Sequence, residues 1–308
     1  MDAMPQQAGR LAKRPECGPD RDLAAFMSDP APVRRRSVIE PLFLALNGRR
    51  LFVLQVMPTG PCRGTVLYLP PLAEEMNRCR SHVAEQARAL AATGLHCVLL
   101  DHYGTGESDG LSAEADWNIW LDDVVAVAHW MAAQHAGRPL TLWGIRLGAL
   151  LAAELVATGR LDVARLLFWQ PVLDGRLYLN QHLRLRIASQ MVHGSDRETT
   201  SMIMQRLSAG EDVEVAGYML PGRLAVGMAS RKMADWPALA AVRIDWIEAV
   251  FEPDQPLPPG SRSLVDKLVA AGGRIQAITV ACPMFWQLAG DQDAPAIQQA
   301  TLRVMGEP

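Results

Sequence analysis

The sequence lacks the features that mark several broad classes of protein. Its five cysteines are scattered, with neither a C-x-x-C pair nor the spacing of zinc ligands. A net charge of −3 over 308 residues provides no basic surface for nucleic acid. No apolar run resembles a signal peptide or is long enough to span a bilayer. We therefore expect a cytoplasmic protein with reduced thiols, no metal or cofactor, no transmembrane segment and no nucleic-acid partner.

The first 36 residues are polar and end in an arginine triplet at positions 34–36. Because this segment is polar, we expect a mobile tail over residues 1–36. Open α/β sheets of this length are commonly built around one core, so we expect one domain over residues 37–308. The triplet could touch anionic lipid or an acidic partner, although a solvated charge run is the favoured explanation.

Strand-like and helix-like segments alternate along most of the chain. Asn47-Gly48 lies between two apolar runs, which predicts an antiparallel hairpin at the start of the domain. Short apolar runs separated by helical spacing then predict a mostly parallel, doubly wound α/β sheet. The predicted strands cover residues 65–69, 97–100, 140–143, 166–169, 243–250 and 275–280. Between about 172 and 236 the strand signal disappears, and we expect a helical cap inserted over the sheet.

A sharp strand-to-helix turn is predicted at Gly144-Ile145-Arg146-Leu147-Gly148. This is the G-x-S-x-G nucleophile elbow with arginine at the central position. Both glycines are explained by crowding, because so tight a reversal leaves no room for a Cβ. Arginine stays protonated and offers only donors, so Arg146 cannot be a nucleophile. Two interpretations stay open: Arg146 binds an anion, or it pairs internally with a carboxylate.

The partners of a catalytic serine are also missing or unsupported. No histidine follows His193, although the elbow's usual base lies after the last strand, where this chain has Cys282 to Trp286. Glu252 and Asp254 follow the penultimate strand, at the position of the usual acid, and could equally be solvated loop residues. Catalytic residues therefore cannot be assigned from the sequence.

The loop after the first parallel strand completes the predicted site, whereas the loop after the second has a packing role. In open α/β sheets ligands bind at the carboxyl ends of the strands, so Pro71, Glu75, Asn77 and Arg78 join Arg146 and Leu147 as predicted ligand-binding residues. The turn from Asp101 to Ser108 has the pattern D-x-x-G-x-G-x-S, to which we assign a packing role.

With these motifs the chain resembles the α/β-hydrolase superfamily over residues 40–305, and more narrowly is similar to the exosortase A system-associated hydrolase 2 family. The narrower resemblance rests on Leu69 to Pro71, Glu75 to Asn77, Trp143 to Ala149, Trp169 to Val172, Val213 to Tyr218 and Phe285-Trp286. It implies a setting of exopolysaccharide production and PEP-CTERM protein sorting, beside a companion hydrolase-like protein.

Three functions are compatible with the sequence. The first is a pseudoenzyme that binds a small anionic or acyl ligand beneath the cap. The second is an ester or thioester hydrolase, or an acyl transferase, in which Glu75 or Asp254 acts as acid/base and Arg146 stabilises negative charge. The third is a non-catalytic partner of the companion protein.

Overall fold

The computed structural model describes residues 37–193, 198–288 and 292–306. The predicted tail at residues 1–36, with its arginine triplet and Cys17, lies outside the described residues, so its mobility stays a prediction. The four described cysteines are free thiols. Within the described ranges no helix is both long and apolar enough to cross a membrane.

The strands are β1 (Ile39–Leu46), β2 (Arg49–Val56), β3 (Gly64–Leu69), β4 (Leu95–Leu100), β5 (Leu140–Ile145), β6 (Arg165–Trp169), β7 (Val213–Val215), β8 (Tyr218–Leu220), β9 (Arg243–Val250) and β10 (Ile275–Ala281). The helices are α1 (Glu74–Ala92), α2 (Trp117–Gln134), α3 (Leu147–Ala157), α4 (Gly175–His193), α5 (Thr200–Ser208), α6 (Gly222–Ala229), α7 (Pro259–Ala270) and α8 (Pro295–Gly306).

Eight of the described strands form one sheet in the order β1-β2-β4-β3-β5-β6-β9-β10. The strands from β4 to β10 in this order pair in parallel, whereas β1 and β2 pair antiparallel, as do β2 and β4. Asn47 and Gly48 both have positive φ, at 51° and 72°, which is the two-residue turn that an Asn-Gly pair favours. The predicted α/β class, the parallel sheet and the N-terminal hairpin are confirmed.

The central strands are mostly apolar because both faces of the sheet are covered. Alternate side chains point to opposite faces, so Leu142 and Phe168 join the larger apolar cluster, whereas Trp143 and Trp169 join a second cluster. Helices α2 and α3 contribute to the first cluster, and α1 and α8 contribute to the second.

The segment between β6 and β9 is not free of strands, contrary to the prediction. Helices α4, α5 and α6 are accompanied by the β7–β8 hairpin, which turns at Ala216 and Gly217 with φ angles of 51° and 85°. Each strand has only three residues, too few to produce a visible alternation of apolar and polar side chains.

Candidate functional site

The elbow at the end of β5 has the predicted geometry. Arg146 is the single residue between β5 and α3, and its backbone is left-handed, with φ 53° and ψ −114°. A Cβ on Gly144 would lie 2.4 Å from the Cα of Ala149, and one on Gly148 would lie 2.1 Å from the carbonyl oxygen of Leu69. Both glycines are therefore required by close backbone contacts, whatever residue stands at the apex.

Backbone strain is concentrated around this elbow. Ala73, which precedes α1, has φ 53° and ψ −123°, almost the conformation of Arg146. Gln170, which follows β6, has φ 44°. Strands β3 and β6 are the two neighbours of β5, so three adjacent strand ends each lead into a non-glycine residue with positive φ. Each such residue costs about 1–3 kcal/mol, and strain of this kind clusters at functional sites.

The guanidinium of Arg146 lies mostly inside the protein and has two long polar contacts. Its Nε lies 3.3 Å from Oε1 of Glu75, and the two side chains are 12% and 15% exposed. Its Nη1 donates to the carbonyl oxygen of Gln170 at 3.4 Å. Within the described chain Nη2 has no hydrogen-bond partner. The structure thus brings the predicted residues Glu75 and Arg146 together, but leaves part of the guanidinium's donor capacity unused.

Two aromatic rings flank Arg146. Its Cζ lies 5.5 Å from the ring centre of Tyr178 on α4 and 5.8 Å from that of Trp286, which follows β10. Both distances are within the range of cation–π attraction. In the loop after β10, where a catalytic histidine would be expected, this chain thus places an aromatic ring beside Arg146.

Tyr178 was not predicted from the sequence, and it holds the second oxygen of Glu75. Its hydroxyl donates to Oε2 of Glu75 at 2.9 Å. Burial and the neighbouring charge of Glu75 raise the pKa of Tyr178 well above its usual value, so the hydroxyl stays protonated and acts as a donor. The ring of His182 stacks on Tyr178 at 6.2 Å. Burial lowers the pKa of His182 to about 4, so this imidazole is neutral at pH 7.

Two further buried groups near Arg146 were also missed. Glu248 on β9 is 2% exposed, and its Oε1 accepts a hydrogen bond from Nε1 of Trp246 at 2.8 Å. Burial raises the pKa of Glu248, while hydrogen bonds from Ser261 and Trp246 and the charge of Arg146 oppose that rise. Burial likewise raises the pKa of the Cys79 thiol. An acidic residue inside the apolar run of β9 was the sequence signal for Glu248.

Asn77 and Arg78 belong to a separate network on the outer side of α1. The Tyr218 hydroxyl donates to Oε2 of Glu74 at 2.6 Å and accepts from Nδ2 of Asn77 at 2.6 Å. Arg78 donates to Oε1 of Glu74 at 3.1 Å and to the carbonyl oxygen of Gln287. We call these four side chains the outer network (Glu74, Asn77, Arg78, Tyr218). It joins the β7–β8 hairpin to α1 and to the loop after β10.

The remaining predicted residues have different surroundings. Pro71 and Leu147 are buried beside the elbow. Glu252 and Asp254 are exposed on the loop after β9, and neither is bonded to Arg146 in the described structure. Pro71 has no N–H, so it can line a site but cannot donate to a ligand. No three His, Cys, Asp or Glu side chains among the described residues are arranged to hold a metal ion.

A concavity of about 680 Å³ lies away from the elbow, between the start of α2 and helices α5 and α6. Its lining includes Asp116, Arg223 and Arg231, and it does not include Arg146. Arg231 is already paired with Glu154 at 3.0 Å. We place the candidate site at the elbow, where the strained backbone and the buried ion pair coincide.

Comparison with known proteins agrees with this geometry. The sequence profile of the serine aminopeptidase, S33, family matches residues 60–214, half of the chain. The chain belongs to this family. The matched residues include the elbow, Glu75 and Tyr178 but not Glu248 or Trp286, and the apex residue departs from the serine that the family's name implies. No curated protein sequence is significantly similar to the chain.

Solved structures show the α/β-hydrolase fold. Est1E from Butyrivibrio proteoclasticus with bound ferulic acid has a TM-score of 0.61 at 14% identity, covering 86% of this chain and 97% of its own. A thermostable carboxyl esterase from Bacillus coagulans has a TM-score of 0.55 at 15% identity, covering 79% and 89%. An α/β serine hydrolase homologue from Coxiella burnetii has a TM-score of 0.52 at 14% identity, covering 87% and 97%. At these identities the likeness extends to the fold alone.

Proposed function

We propose that this protein is a non-hydrolytic member of its family that binds a small anionic or acyl ligand at Arg146. The observation that carries the proposal is the guanidinium at the apex of a strained elbow. It replaces the nucleophile and still has donors that no described residue uses. The start of α3 adds the positive end of a helix dipole, which favours negative charge at the same place.

The surrounding residues support the absence of serine-hydrolase chemistry. Ser108 is buried; its hydroxyl donates to the carbonyl oxygen of Asp101 at 2.5 Å and accepts from the amide of Phe52 at 2.8 Å. A hydroxyl held in this way is a packing group. The loop after β10 presents Phe285 and Trp286, which can neither accept nor relay a proton.

The biological setting is also a proposal. We place the protein in the exosortase A and exopolysaccharide system, in the cytoplasm and beside a companion hydrolase-like protein, because of the motifs around Glu75, Arg146 and Trp286. The cap assignment for residues 172–236 belongs to the same proposal. It is supported by Tyr178, which reaches from α4 to Glu75.

The enzymatic alternative is less well supported by the geometry. Both oxygens of Glu75 are engaged, by Arg146 and Tyr178, and Asp254 lies on an exposed loop. A general base must lie within hydrogen-bond reach of its substrate's proton, and the contacts described for Glu75 go to Arg146 and Tyr178. The third function, an interaction partner without a ligand, is the outcome that a blank ligand screen would favour.

The test combines an activity assay with a ligand screen on the full chain. We expect no p-nitrophenyl ester turnover above background and no labelling by a fluorophosphonate probe. We also expect small organic acids to raise the melting temperature of the wild type but not of Arg146→Gln, because a ligand stabilises only the state that binds it. Stoichiometric labelling of a serine would overturn the non-hydrolytic claim. Equal shifts in both proteins would overturn the assignment of the ligand to Arg146.

A further inference from the structure

The contact between Glu75 and Arg146 is weaker than the best geometry these two groups can adopt. An arginine and a carboxylate bind most strongly through two parallel hydrogen bonds of about 2.7–2.9 Å. Here a single oxygen of Glu75 contacts Nε at 3.3 Å, and Nη1 makes only the 3.4 Å bond to Gln170. The guanidinium is partly neutralised by Glu75 without being saturated by it.

Glu75 also has a second anchor that does not depend on Arg146. Its Oε2 accepts the 2.9 Å hydrogen bond from Tyr178, and it lies in the first turn of α1, where the helix dipole favours an acid. If Oε1 moves away from Arg146, the carboxylate keeps both of these interactions. Displacement of Glu75 from the guanidinium therefore does not leave it without partners.

The charge around Arg146 fits one ligand charge rather than two. Burial raises the pKa values of Tyr178 and Cys79, so neither group carries charge at neutral pH, whereas burial also raises the pKa of Glu248 and the charge of Arg146 opposes that rise. Arg78, a basic residue on α1 close in sequence to Glu75, forms an ion pair with Glu74 at 3.1 Å. No second basic residue of the described chain bonds to Glu75 or Tyr178. The site thus holds one cation that is already paired with Glu75 and lies near the carboxyl group of Glu248, so it is not equipped for a dianionic phosphate.

We propose that Glu75 occupies Arg146 as an internal placeholder, and that the ligand is a monocarboxylate that displaces it from the guanidinium. The ligand's carboxylate takes the guanidinium of Arg146, whose side chain is 12% exposed, whereas the flanking rings of Tyr178 and Trp286 are already buried by the protein. Two carboxylates at one guanidinium repel each other, so Glu75 competes with the ligand and lowers its affinity. This inference rests on the proposed function, because it assumes that the ligand binds at Arg146.

The test measures binding by titration calorimetry on the full chain. Benzoate is the probe, benzamide is its neutral isostere and phenyl phosphate is the dianionic comparison. Glu75→Gln removes the competing charge while preserving the shape of the side chain. Glu74→Gln is the matched control, because it removes a negative charge from the neighbouring residue. The carboxylate of Glu74 contacts Arg78 and Tyr218 and does not contact Arg146.

We expect benzoate to bind Glu75→Gln at least about tenfold more tightly than the wild type, since like charges at one site oppose binding. Binding should be unchanged in Glu74→Gln, lost in Arg146→Gln, and weaker for benzamide and phenyl phosphate. A benzoate affinity that Arg146→Gln abolishes but Glu75→Gln does not raise above Glu74→Gln would refute the placeholder and leave the proposed function intact. No binding of any of the three probes to the wild type or Glu75→Gln would overturn the ligand class proposed here.

A measurement on the wild type covers the case in which Glu75→Gln fails to fold. In a crystal soaked with benzoate, we expect the carboxylate on the guanidinium and Oε1 of Glu75 withdrawn from its present 3.3 Å. Benzoate bound to Arg146 with Glu75 unmoved would contradict displacement. Benzoate bound elsewhere would contradict the site itself.

Discussion

Replacing Arg146 with serine rebuilds the G-x-S-x-G motif. The substitution tests whether a hydroxyl at the apex of the elbow is enough for ester hydrolysis. The left-handed backbone at the apex is equally strained for serine and for arginine, so the hydroxyl would lie at the usual position of the nucleophile. We nevertheless expect ester turnover at background. General-base assistance is typically worth about 10²–10⁴ in rate, and the loop after β10 offers the indole of Trp286 in place of an imidazole.

The same substitution has a stability cost that can be worked from the contacts. Breaking a fully buried ion pair costs about 3–5 kcal/mol because one charge is left unpaired. Here the partners are 12% and 15% exposed, and Glu75 keeps its bond from Tyr178. We therefore expect a loss of about 2 kcal/mol. In a domain of this size that corresponds to a fall in melting temperature of about 4–8 °C.

The assay records melting temperature and p-nitrophenyl butyrate turnover on one preparation of Arg146→Ser. Arg160→Ser is the control, because Arg160 pairs with Asp122 at the surface, where ion pairs contribute about 0–1 kcal/mol. Equal melting temperatures for the two variants would refute the buried tie. Robust turnover by Arg146→Ser would refute our account of the missing base, and its loss on adding His182→Ala would identify that base on α4.

Two further predictions concern other parts of the domain. Tyr218→Phe removes the hydroxyl between Glu74 and Asn77, so we expect faster amide hydrogen exchange in the β7–β8 hairpin and a loss of about 1 kcal/mol, whereas Tyr103→Phe, which breaks a similar exposed tyrosine–glutamate bond, should leave that hairpin unchanged. Unaltered exchange in Tyr218→Phe would contradict the role of the outer network. Burial lowers the pKa of His102 to about 3, against about 6.5 when unfolded. Below pH 6.5 the unfolded chain takes up a proton that the folded chain does not, so this residue alone lowers the free energy of unfolding by about 2 kcal/mol at pH 5. Urea titrations at pH 7.5 and 5 should show a smaller difference for His102→Phe than for the wild type, and an equal difference would exclude this contribution.

The parts of the fold that depend on local sequence were predictable. Asn47-Gly48 specifies its turn through two residues with positive φ, and the spacing of Gly144 and Gly148 marks the elbow. The β7–β8 hairpin was missed because it turns at Ala216-Gly217, a pair that carries a weaker turn signal than Asn-Gly. Its strands are also too short for a periodic pattern.

The partners at the site were not predictable, because they are set by packing across long stretches of chain. Glu75 and Arg146 were both candidates, but 71 residues separate them, and nothing in the sequence states that they pair. Tyr178 lies 103 residues from Glu75, on a helix whose orientation over the sheet no local signal encodes. Sequence reasoning identified the residues of the ion pair but not the ring that stabilises it.

The pattern of backbone strain supports the proposal that this elbow has a function. A left-handed apex is costly for any residue with a Cβ, and a protein without use for it could relax the turn by a few substitutions. Instead Ala73, Arg146 and Gln170 all keep positive φ at three adjacent strand ends. The carbonyl of Gln170 faces the guanidinium, and α1 begins directly after Ala73 and carries Glu75 to it. The strained backbone therefore positions the contacts of Arg146, which supports the proposed ligand site at this residue.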